Sequence, residues 1–155
     1  MNLDACGVAL LSLEGGGLFT HYLQLLGPQG LDLRLRGLCD LDAETLWMGW
    51  LGDAGLEVGD RDALNAAGVH VCDPDLEAEL MDPLSGNQID NVFAADGASD
   101  EFSSFATQPD NRETSRAELQ RRFVRKNKIR WAPLLAAALP TDGLPAPVTA
   151  LLGTL

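Results

Sequence analysis

The stretch Leu33-Arg34-Leu35-Arg36-Gly37-Leu38-Cys39-Asp40-Leu41-Asp42-Ala43-Glu44 reads as a strand that runs into an acidic turn, which then opens a helix. The strand half alternates apolar and basic residues and becomes wholly apolar at Leu38 and Cys39. The turn carries three carboxylates, Asp40, Asp42 and Glu44, within five residues. Open α/β sheets place their sites at the carboxyl ends of strands. Two Asp side chains on a short turn can converge on a hard divalent cation, which takes oxygen ligands. The same residues fit a second role, in which Asp42 caps a helix beginning near Ala43 and Glu44 complements the helix dipole.

Working outward, Gly7–Leu13 (GVALLSL) is an apolar run suited to a buried strand, followed by a turn at Glu14-Gly15-Gly16-Gly17. Leu18–Leu26 has apolar residues at helical spacing, stopped by Gly27-Pro28. A strand, a helix and the strand at Leu33–Cys39 predict a βαβ unit with parallel strands. A helix over Ala43–Ala54 carries Trp47 and Trp50, and a short one capped by Asp60 ends at Gly68. Gly68–Cys72 is a third strand, with His70 as a satisfied core histidine. It runs into a second acidic turn, Asp73-Pro74-Asp75-Leu76-Glu77-Ala78-Glu79-Leu80. There Asp73 is expected to cap a helix and Pro74 to occupy its first turn. Asp75 and Glu79, four apart, would share a face, with Glu77 pointing elsewhere.

Beyond Leu80 the pattern is helical. Segments over Gly86–Ala95 and Ser99–Thr107 are followed by a basic helix, with Ser115 and Glu118 at capping-box spacing. Asn127–Leu139 and Pro147–Leu152 complete the chain. The expected fold class is α/β, a small and mostly parallel sheet flanked by helices with a helical C-terminal half. It forms a single domain over 1–155, with an α/β part at 1–80 and a helical part at 81–155.

Net charge is −12 over 155 residues, which by itself argues against a polyanionic partner. Its distribution is uneven. Eight of the eleven basic residues lie between Arg112 and Arg130 with only two acids, giving that segment +6 and the remainder −18. Such asymmetry can pair an acidic metal site with a phosphate-binding edge formed by Arg121, Arg122, Arg125, Lys126 and Arg130. It also fits a solvated helix face that forms salt bridges to an acidic body. The N-terminus lacks the charged and apolar regions of a signal peptide, and no run approaches a membrane span. Cys6, Cys39 and Cys72 lack paired spacing and read as small core residues of a cytoplasmic protein.

Three segments in order carry a family resemblance: Gly30–Glu44 with Gly37-Leu38-Cys39-Asp40, Gly68–Leu80 with Asp75-Leu76-Glu77, and Arg125–Leu135 with Lys128-Ile129-Arg130-Trp131. Together they resemble the toprim domain of the overcoming-lysogenization-defect family of nucleases, over residues from about 7 to 152. The resemblance implies Mg2+- or Mn2+-dependent chemistry at nucleic-acid phosphodiesters, with DNA favoured over RNA. It implies Asp40, Asp42 and Asp75 as metal-binding acids, Glu77 as a further catalytic acid, and Lys128 near the scissile phosphate. A purely catalytic Lys128 would make Lys128→Ala lower activity while leaving melting nearly unchanged. The family pattern starts with a strand ending in Glu before the Asp-x-Asp strand. Glu14-Gly15 offers such a pair, but its context matches the family's second strand, which would put the Glu-bearing strand before Met1. Three explanations fit an interior strand missing in this way: a wrongly assigned start, a degenerate copy, or a protein partner or homo-oligomer that covers the gap.

Two alternatives stand beside this reading. One is a non-catalytic interaction module that keeps the fold. The other is a haloacid-dehalogenase-like phosphatase, since Asp40-Leu41-Asp42-Ala43-Glu44-Thr45 resembles that family's Asp-x-Asp-x-Thr loop with Thr45 one residue late.

Overall fold

The computed structural model describes residues 7–11, 18–140 and 142–153. Along the chain run α1 (Phe19–Leu26), β1 (Gly37–Asp40), a 3-10 turn (Leu41–Ala43), α2 (Glu44–Asp53), α3 (Arg61–Ala66) and β2 (Val69–Cys72). They are followed by α4 (Leu76–Met81), α5 (Gly86–Ala95), α6 (Ser99–Ala106) and a 3-10 turn (Pro109–Asn111). The last helices are α7 (Arg116–Arg125), α8 (Lys128–Ala138) and α9 (Ala146–Leu152). The protein is α/β, with a small parallel sheet flanked by helices. It divides into two compact units, residues 1–72 with 146–155 and residues 73–145.

The first unit is built on β1 and β2, which pair in parallel from Gly37↔Val69 to Asp40↔Cys72. The βαβ unit seen is not the expected one: α2 and α3 connect the paired strands β1 and β2, and α1 connects no paired strands among the described residues. Residues 33–36, read as the first half of a strand, stay outside the ladder. Their alternation suits a sheet, but β2 offers no partner for them, because Gly68 turns the chain at φ +88° immediately before Val69. That backbone conformation is open to glycine at little steric cost. Of the strand expected at Gly7–Leu13, residues 7–11 form none, and Ala9, Leu10 and Leu11 are exposed rather than buried. Residues 12 and 13, with Glu14 and the triple glycine, lie outside the described residues.

Phe19, Leu23, Cys39, Trp47, Leu51, Leu64 and Val69 form the core of this unit. Trp47 lies over β1 so closely that a Cβ on Gly37 would come 2.9 Å from its ring. Phe19 completes the cluster, 4.1 Å from Trp47 and 5.3 Å from Trp50 between ring centroids. α3 begins as expected, with the Asp60 side chain accepting the Ala63 N–H. α9 returns to pack against both strands.

The second unit is helical. Its core stacks Phe93, Phe102, Phe105, Phe123 and Trp131 around buried Leu80, Leu84, Ile89 and Leu135. Several rings meet edge-on, at 5.1 Å for Phe93–Phe123 and 4.9 Å for Phe93–Trp131. Such contacts add about 1 kcal/mol per pair beyond area burial. Local signals explain where the helices start. Ser85 and Gln88 close a reciprocal capping box on α5, Ser115 accepts from Glu118 N–H on α7, and Asn127 accepts from Arg130 N–H on α8. Pro133 lies inside α8. Its missing N–H leaves the Ile129 carbonyl without the usual i+4 donor.

At α4 the expected cap moves by two residues. Asp75, not Asp73, is the N-cap, its Oδ1 accepting the Ala78 N–H at 2.9 Å, and Pro74 precedes the helix. Asp75 is extended at φ −154°, and its carbonyl accepts the Glu79 N–H at 3.2 Å, the first helical bond of α4. The Glu79 side chain accepts the Asp73 N–H at 3.1 Å.

Candidate functional site

Asp40 is the last residue of β1, and Asp42 lies in the 3-10 turn that follows it. The helix-capping alternative for Asp42 is overturned. The N-cap of α2 is Ala43, and neither Asp40 nor Asp42 makes a side-chain capping bond. The turn tightens before the helix starts, which carries Asp42 past the position from which its oxygen would reach the α2 amides. Glu44 stands in the first turn of α2 and accepts from Arg61 through both oxygens, at 2.7 and 2.6 Å. That guanidinium holds its carboxyl below the usual value. The acidic turn also acts on Cys39, a free buried thiol. Burial, then Glu44, Asp40 and Asp42, push its pKa up to about 11, so it is a core residue rather than a nucleophile.

His70 departs from the satisfied core histidine expected of it. It is half-buried, and its Nε2 is enclosed with no hydrogen-bond partner among the described residues. Burial first, then the charge of Arg36, depress its pKa.

In the second unit the structure brings together Asp75, Glu77, Arg125 and Lys128. Lys128 Nζ lies 3.2 Å from Asp75 Oδ2 and 3.1 Å from Glu77 Oε2, and Arg125 Nε donates to Asp75 Oδ2 at 3.3 Å. Glu77 therefore turns toward the same cation as Asp75 instead of away from it. Both acids are buried, their side chains 9% exposed, while Lys128 and Arg125 are 36% and 47% exposed. Burial pushes the Asp75 pKa up, but the Ala78 N–H, Lys128 and Arg125 outweigh it, and the net shift is downward. Glu77 Oε2 lies within ion-pair distance of the ammonium but receives no well-directed hydrogen bond.

The remaining basic candidates spread over the surface of the same unit, most of them in ion pairs. Arg121 meets Asp82 at 3.5 Å, Arg122 meets Glu118 at 3.0 Å, and Arg130 meets Asp96 at 2.6 Å and Glu101 at 3.0 Å. Lys126 is the exception, its ammonium 4.1 Å above the Phe105 ring. Arg116, unremarked in the sequence, pairs with Asp90 at 2.7 Å, and buried Gln120 donates to the other Asp90 oxygen at 2.8 Å. Nothing local in the sequence signals that trio.

Among the described residues, no group of three or more His, Cys, Asp or Glu side chains is arranged to hold a metal ion, and no helix is long and apolar enough to cross a membrane. Compared with known proteins, the chain matches no family model, no curated protein and no solved structure.

Proposed function

We propose that this chain is a toprim-like domain serving metal-dependent cleavage or transfer at nucleic-acid phosphodiesters, with Asp40 and Asp42 as the ligands of Mg2+ or Mn2+. The observation that supports this is the position of Asp40. It ends a strand of a parallel pair, with Asp42 in the turn just beyond, the place where open α/β sheets bind ligands. Two carboxylates fit Mg2+, which keeps several waters and takes few protein ligands. When bound, such an ion supplies an activated water and charge neutralisation at the phosphate. In the second unit, Asp75 and Glu77 hold the Lys128 ammonium in place.

A second reading, the non-catalytic interaction module, draws on a specific observation. Lys128 is already neutralised by two buried carboxylates, and Arg116, Arg121, Arg122 and Arg130 are paired with acids of their own unit.

Calorimetric titration of Mn2+ into the protein and into Asp40→Asn/Asp42→Asn separates the two. The catalytic reading expects binding that the double substitution abolishes. A protein that takes up no Mn2+, or takes it up equally after the substitution, overturns that reading and leaves the module. Turnover of a generic phosphomonoester with DNA left intact would instead identify a phosphatase.

A further inference from the structure

The corner between α7 and α8 carries an apolar side chain that packing does not use. Ile129, in the first turn of α8, is 91% exposed, while Trp131 and Leu135 of the same helix are 1% and 0% exposed. Its sequence neighbourhood is cationic: Arg125, Lys126, Lys128 and Arg130. The charges at the corner are layered. Asp75 and Glu77 are buried, whereas Arg125 and Lys128, which they hold, reach solvent. Lys126 rests on Phe105 with no carboxylate within ion-pair distance among the described residues. A partner approaching from solvent therefore meets Arg125, Lys126 and Lys128 with Asp75 and Glu77 behind them, whereas Arg130 is paired with Asp96 and Glu101, 28% and 59% exposed.

We infer that this corner binds single-stranded nucleic acid, with Ile129 against an unpaired base and Arg125 and Lys126 on the flanking phosphates. Charge complementarity selects a polyanion. The exposed isoleucine selects among polyanions, because an apolar side chain gains by covering a base face. Single strands present such faces, whereas a duplex stacks them away and shows only edges in its grooves. The inference rests on the nucleic-acid reading above and narrows its substrate to strands with unpaired bases.

The test is fluorescence anisotropy of the full chain with a short labelled single strand and its duplex, in EDTA so that metal binding plays no part. Ile129→Ser is expected to weaken single-strand binding roughly five- to tenfold, the effect of uncovering one aliphatic side chain. It should leave duplex binding and the salt dependence unchanged. Lys126→Gln should reduce the slope of log affinity against log salt by about 0.7, one phosphate contact to a single strand. Equal single-strand affinity for Ile129→Ser and the parent overturns the inference while leaving the nucleic-acid reading intact. Tighter binding of the parent to duplex overturns it in the same way. A parent that binds neither strand nor duplex overturns both, and one that binds anionic vesicles through Ile129 in their place reassigns the corner to a lipid surface. Ile129 is so exposed that its substitution removes no core packing, and each outcome can be read on folded protein.

Discussion

Among the described residues, the hydrophobic core of the unit spanning 73–145 has fourteen buried members, five of them aromatic, whereas the core of the unit made of residues 1–72 and 146–155 has seven, set against two four-residue strands. The exposed side runs the other way. Among the described residues, Leu10, Leu11, Leu18, Leu25, Leu31, Leu33, Leu41 and Leu46 of the first unit are exposed, against Ile129 and Leu144 of the second. Helix starts differ less sharply: in the second unit α4, α5, α7 and α8 have side-chain caps and α6 has none, while in the first unit α3 has one and α1 and α2 have none. A short parallel pair is a poor stabiliser alone, since parallel sheets are normally covered on both faces. Stability is thus concentrated in the second unit, and the candidate metal turn stands on the less stable one.

The largest test of this contrast is Trp131→Ala. Removing a fully buried indole that touches Phe93 and Phe123 should cost about 3–5 kcal/mol in denaturant unfolding. If the loss is under about 1 kcal/mol, the aromatic core is not the main store of stability. Lys128→Ala should come next. It leaves Asp75 and Glu77 buried with less compensation, and a half-exposed partner of this kind should cost about 2 kcal/mol. An unchanged melting temperature would return Lys128 to a purely catalytic role. The pH dependence sharpens the same point. The depressed Asp75 pKa contributes stability that is fully present above its ordinary value of 3.8 and is lost as pH falls through the lower folded value. Asp75→Asn should flatten the acid limb of the stability curve. Leu31→Ser should have the smallest effect, within about 0.5 kcal/mol, because the side chain is 65% exposed. A larger loss in dilute solution would show that the exposed leucines of the first unit are covered by another chain.

How much the sequence disclosed follows the same division. Helices of the second unit begin and end on signals a few residues wide, such as Ser115, Asn127 and Pro140, and these were legible. β2 was legible too, as an apolar run behind the Gly68 turn. The length of β1 was not. The alternation over Leu33–Arg36 is a sound strand signal, but a strand needs a ladder partner, and β2 is too short to supply one. The cap of α4 was misplaced by two residues because both Asp73 and Asp75 are competent caps, and the choice fell to Asp75, whose carboxylate also meets Arg125 and Lys128 from fifty and fifty-three positions away. The acidic and basic residues of the candidate site were visible as types. That Asp75 and Glu77 both turn to one lysine is a long-range fact that no local spacing encodes.

The first unit is discontinuous in sequence: its strands come early, and α9, which packs on them, comes last. The second unit is one uninterrupted segment inserted between them. Chains emerge from the ribosome from the N-terminus and domains fold as units. The helical unit can therefore close as soon as Pro145 is made, while β1 and β2 must wait for α9 to be synthesised before their covering is complete. During synthesis the inserted unit matures first, and the acidic turn at Asp40, made before it, reaches its finished surroundings after it.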